Sequence, residues 1–86
     1  MALSVSEADK LIDAAFLTMG FSGQSMGERL KASEKWFPAD LYQEIWQAHK
    51  LRNTLAHEVG VVASQSEAKQ AVGSIRKALY HLKILN

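Results

Sequence analysis

Between Ser6 and Met19 the apolar residues Ala8, Leu11, Ile12, Ala15, Phe16 and Met19 recur at three- and four-residue steps, which predicts an amphipathic helix. Ser6 stands where its N-cap is expected, and Gly20 lies just past its end. Gly20-Phe21-Ser22-Gly23 breaks the period. It resumes over Met26-Gly27-Glu28-Arg29-Leu30-Lys31 as a short helix, before Trp36-Phe37-Pro38. Pro38 opens a longer helix that should run from Ala39 to about Glu58, with Gly60 ending it. Ser64-Gln65-Ser66-Glu67 offers a capping box or its near neighbour for a last helix, whose stripe is Ala68, Ala71, Val72, Ile75, Leu79 and Leu82. Only Val59 to Val62 is short and β-branched, and it has no partner strand in sight. The pattern therefore predicts an all-α fold. It is a small antiparallel bundle of three long helices plus a short one, packed at shallow angles as a single domain over residues 1–86.

Composition narrows this picture. Eighty-six residues hold one core, and 48% hydrophobic with 22% charged residues and one proline is the balance of a globular chain. A chain this short buries only about 60–70% of its unfolded surface, so a partner surface is expected. The absence of cysteine excludes disulfides, thiolate metal sites and cysteine nucleophiles, and leaves a cytoplasmic location as the default. The apolar runs Ala14 to Leu17 and Val59 to Ala63 fall far short of the roughly 18 residues a membrane span needs, and no signal peptide opens the chain. Ten Lys and Arg against nine Asp and Glu give a net charge of +1, so any contact with nucleic acid must be local.

The long middle helix carries most of the chemistry. At 100° per residue, Leu41, Ile45, Ala48, Leu51, Leu55 and Val59 fall within an arc of about 120°, a core-facing stripe. Tyr42, Trp46, His49, Asn53 and His57 occupy a separate arc of about 80°, which mixes aromatic bulk with hydrogen-bonding groups. That mixture suits an interface between copies of the chain or a binding cleft, with Tyr42, Trp46 and His49 as contact residues. The plainer alternative is an amphipathic edge packed against the last helix. Arg52 lies inside or at the edge of the apolar arc, where an unpaired guanidinium would cost several kcal/mol. Either its head reaches solvent or an acid such as Glu28 or Glu44, or it is a phosphate ligand at a buried edge. Arg52 and His57 differ by about 140° in direction and about 7.5 Å in height on a straight helix, so they cannot grip one atom together within it. A shared site needs the helix to end near His57, or a second copy to meet it across a symmetry axis.

The string Leu51-Arg52-Asn53-Thr54-Leu55-Ala56-His57 resembles the signature of the HEPN superfamily, helical domains named for higher eukaryote and prokaryote nucleotide binding. Gly27-Glu28-Arg29-Leu30-Lys31, Trp46-Gln47-Ala48-His49-Lys50 and Ser66-Glu67-Ala68 also look like small bacterial members, so the likeness covers roughly residues 20 to 82. The resemblance implies a bundle that dimerises through the motif-bearing helices. In active members it implies a metal-independent endoribonuclease site built from Arg and His of both subunits. Carried over residue by residue, His57 would move the proton of a ribose 2′-hydroxyl, Arg52 would stabilise the phosphate, and Asn53 would orient the site, leaving a cyclic phosphate. Some toxin-type members carry a tyrosine two residues after the histidine, where this chain has Val59.

Other patterns carry less. His49, Asn53 and His57 share a face, but there is no HExxH and no third nitrogen or thiolate, so neither a metal nor a cofactor is expected. His81 is assigned no role, and Gly20, Gly23 and Gly27 form no phosphate-cradling loop. Lys50 and His49 are candidate RNA contacts, and Lys69, Arg76, Lys77 and Lys83 read as a solvated face or the rim of an RNA cleft. Two functions stand against each other. One is a homodimeric, toxin- or defence-type endoribonuclease acting through Arg52, Asn53 and His57, with RNA and an antitoxin or other protein as partners. The other is a non-catalytic dimerisation or nucleotide- and protein-binding module. A structural fragment of a larger protein is a third possibility.

Overall fold

The first long helix, α1 (Val5–Thr18), starts where two short side chains satisfy each other's backbone. The Ser4 hydroxyl accepts from the Glu7 N–H at 3.1 Å, and the Glu7 carboxylate accepts from the Ser4 N–H at 3.0 Å. The N-cap is therefore Ser4 and not Ser6. The carboxylate three residues after Ser6 is Asp9, which is buried and used elsewhere. The computed structural model describes residues 3–84. After α1 come α2 (Met26–Ala32), one 3-10 turn over Glu34–Trp36, α3 (Ala39–His57) and α4 (Gln65–His81). No strand occurs among the described residues, and the expected all-α class is the one observed. Ser64 and Glu67 form the expected capping box of α4, with both bonds at 3.0 Å.

Phe16, Ile12, Leu30, Ile45, Ile75 and Leu79 are the largest fully buried side chains and come from all four helices. Each such side chain removed from water is worth about 1.5–3 kcal/mol. Phe16 sits edge-on to Phe21 at 5.5 Å and to Phe37 at 6.3 Å, tying the connections on either side of α2 to α1.

On α3 the outcome differs from the stripe count in two ways. Ile45 and Ala48 are buried and Leu41, Leu51 and Leu55 half-buried, but Val59 is fully exposed. The helix stops at His57, Glu58 turns extended at φ −105° and ψ 124°, and Gly60 takes a positive φ of 80°, so Val59 leaves the helical arc. Tyr42 and His49, set apart from the monomer core by the angular count, are 7% and 8% exposed and belong to that core. Helix α3 is covered from two sides, by α4 and by α1, and its inward face is accordingly wider than one stripe. Among the described residues no helix is long and apolar enough to cross a membrane.

Candidate functional site

Two charged residues occupy positions where the helical pattern calls for apolar ones. Asp9 lies on the buried face of α1 with Val5, Ala8 and Ile12, and Arg52 lies in the apolar arc of α3. A buried charge needs an opposite charge and hydrogen bonds. Asp9 Oδ2 stands 4.0 Å from Arg52 Nε, an ion pair longer than a hydrogen bond, and that Nε is buried with no hydrogen-bond partner among the described residues. Of the two acids expected to hold Arg52, neither does so. Glu28 accepts from the Gln24 N–H at the start of α2, and Glu44 accepts from the Ser74 hydroxyl at 3.0 Å and lies 3.7 Å from Lys77 Nζ.

The remaining hydrogen bonds run in one direction. Arg52 can only donate, and its Nη1 lies 3.1 Å from Asn53 Oδ1. With that oxygen accepting, Asn53 Nδ2 is turned toward His49 Nε2 at 3.4 Å and donates to it. His49 then carries its proton on Nδ1, which lies 2.9 Å from Asp9 Oδ1 and donates to the carboxylate. The four side chains form a closed ring of Arg52, Asn53, His49 and Asp9.

This ring is one wall of a cleft of about 550 Å³ between α1, the start of α2 and α3. Trp46 faces it, 6.0 Å from the His49 ring and 6.3 Å from the Tyr42 ring, and Lys10 and Lys50 stand exposed at its edge. Gly27 closes the far side. A β-carbon there would lie 3.6 Å from His49 Nε2 and 3.8 Å from Trp46 Cη2, ordinary contact distances, so this backbone packs directly beside both rings. Beside the cleft Arg29 grips Asp13 through two bonds of 2.7 and 2.8 Å and donates to the Gly23 carbonyl at 2.9 Å. The hydrogen bond to Asp13 pushes the Arg29 guanidinium further up from its ordinary pKa.

The predicted site residues divide accordingly. Arg52, Asn53, His49, Trp46 and Lys50 line the cleft, whereas His57 does not. His57 is exposed in the last turn of α3, and its ring makes no hydrogen bond among the described residues. Tyr42 packs edge-on to Trp46 from inside the core and has almost no surface left to offer a partner. His81, assigned no role, bonds the Trp36 carbonyl at 2.9 Å and lies against Phe37. Asp9, Lys10 and Gly27 were not legible as site residues. Only Asp9 left a trace in the sequence, a carboxylate on an apolar stripe matching a guanidinium on another. Among the described residues no group of three His, Asp or Glu side chains is arranged to hold a metal.

Comparison of the chain with family models, curated proteins and solved structures finds no match.

Proposed function

We propose that this chain is a HEPN-like, metal-independent endoribonuclease domain that works as a homodimer. The observation that carries the reading is Arg52, whose guanidinium is held on the wall of an open cleft with basic residues at its edge and an exposed histidine five positions along the same helix. The guanidinium suits a phosphodiester, whose oxygens accept from a charged N–H donor, and Trp46 offers an aromatic surface for a base. His57 supplies the proton transfer, an imidazole being able to take and give a proton at one side chain. In the reaction the 2′-oxygen attacks phosphorus as its proton passes to the imidazole, the P–O5′ bond breaks as the 5′-oxygen takes a proton from water, the resulting hydroxide recovers the imidazole's proton, and a 2′,3′-cyclic phosphate remains.

About 140° of helix rotation separates Arg52 from His57 in one chain, so the reading needs His57 from a second copy. Val59, Val61 and Val62, exposed directly after His57, support a contact at that end. This reading also makes a cytoplasmic toxin or defence role, and an antitoxin-like partner, natural. The second reading, a module that binds an anionic ligand without cutting it, is favoured by the same separation, because the Arg52 cleft is complete without His57.

The test is cleavage of several RNAs by the protein in excess EDTA, beside His57→Ala and Arg52→Ala, with oligomeric state followed by light scattering. Cleavage by the wild type, reduced at least about 100-fold in both variants while they remain dimeric, supports the nuclease. A folded, dimeric wild type that cuts nothing leaves the binding module.

A further inference from the structure

Asp9 is 5% exposed and belongs to no part of the Arg-x4-His pattern, yet its carboxylate faces both ends of the polar chain in the cleft. It divides its two oxygens: Oδ1 accepts from His49 Nδ1 at 2.9 Å, and Oδ2 faces Arg52 Nε at 4.0 Å. From the other side Asn53 Oδ1 accepts from Arg52 Nη1, and Asn53 is itself turned by His49. One edge of the guanidinium is thus held electrostatically by α1, and one nitrogen is held within α3. Nη2 makes no hydrogen bond among the described residues, and the side chain keeps 31% exposure. A guanidinium on a long flexible stem normally samples many rotamers, and a hydrogen bond at one nitrogen with a carboxylate 4.0 Å from a second, buried one restricts that freedom before any ligand arrives.

We propose that Asp9 is a positioning residue: with His49 and Asn53 it closes a four-residue ring that fixes the Arg52 guanidinium, leaving Nη2 to meet a phosphate oxygen of the RNA strand. The proposal rests on the reading of Arg52 as the phosphate-binding group. It assigns His49 a structural role too. The neutral imidazole, protonated on Nδ1, is the link that lets Asp9 set the direction of the Asn53 amide, and through it the place of Nη1. Asp9→Asn keeps size and shape but replaces the oxygen facing Nε by either a neutral oxygen or an N–H that opposes it, so the ring opens on the α1 side.

The full chain, labelled with 15N, reports this directly through the arginine Nε–H resonances, that of Arg52 being assigned by its loss in Arg52→Lys. In the wild type the Arg52 Nε–H should exchange slowly with water and show 15N relaxation close to that of the α3 backbone. In Asp9→Asn it should broaden or exchange fast while the resonances of α2 and α4 stay in place. RNA cleavage by Asp9→Asn should fall about 10- to 100-fold in kcat with KM moving far less, and adding Arg52→Lys to it should cost little more. An unchanged Nε–H signal in a folded Asp9→Asn chain, or an unchanged kcat, overturns the proposal. So does fast averaging of the Arg52 Nε in the wild type, a result that needs no variant to fold. A wild type that cleaves no RNA overturns the nuclease instead, and the Nε–H signal then decides alone whether Asp9 positions Arg52.

Discussion

Gly23 is the residue at which the backbone has least latitude. Its φ is 141°, and a β-carbon there would lie 2.7 Å from Glu28 Cβ and 2.8 Å from the Arg29 nitrogen, both parts of α2 that cannot yield. Its carbonyl also receives Arg29 Nη1, so the turn, the start of α2 and the Arg29–Asp13 pair are one local unit beside the cleft. Gly23→Ala should destabilise the protein by about 1–3 kcal/mol, read as a lower urea midpoint at unchanged slope. An unchanged midpoint would mean the turn can re-form without this conformation. At this scale Arg52 was legible because a charge on an apolar stripe is conspicuous in a helical count. Its partner was not. Asp9 lies 43 positions away, and only the packing of α1 on α3 selects it over Glu28 and Glu44.

Helices are written into this chain by their ends. The α1 and α4 boxes each use a serine and a glutamate three residues apart, and in both the backbone and side chain of that serine hold the glutamate below the ordinary carboxylate pKa. A lowered folded-state pKa gives stability that is fully present above the ordinary value of about 4.5 and is lost as pH falls through the lowered one. Glu67→Gln should therefore unfold with a shallower dependence on pH below about 4.5 than the wild type, in denaturant titrations from pH 7 to pH 3. Equal pH slopes would show that the α4 box frays in solution. Boundaries of this kind were readable because a cap is a local contact. The displaced α1 cap is instructive, since Ser4 and Ser6 both precede an acid by three residues and only tertiary contacts claim Asp9 for the interior.

For the molecule as a whole, the exposed apolar side chains matter most. Val59 and Val62 are 103% and 86% exposed in the chain by itself, beside His57 at the end of α3. Val62→Lys should leave the fold within about 0.5 kcal/mol, because Val62 contributes little to this chain's interior. If two copies join there, the same substitution should shift the sedimentation coefficient from dimer to monomer, make the melting temperature independent of protein concentration, and abolish RNA cleavage with it. A wild type that sediments as a monomer at assay concentrations would remove the second copy's His57 from the site and with it the nuclease reading.

From the order of residues alone came the helical class, the short helix, the capping box of α4, the stripe of α4 and the oddness of Arg52. All depend on periodicity and on contacts a few residues apart, which the backbone geometry of a helix dictates wherever it packs. Which faces became interior, which acid met Arg52, and where α3 stopped were decided by tertiary structure. Tyr42 and His49 went inward because α1 covers a second side of α3, and His49 found Asp9 there. Burial and charge pairing depend on which helices become neighbours, and no spacing along one helix contains that information.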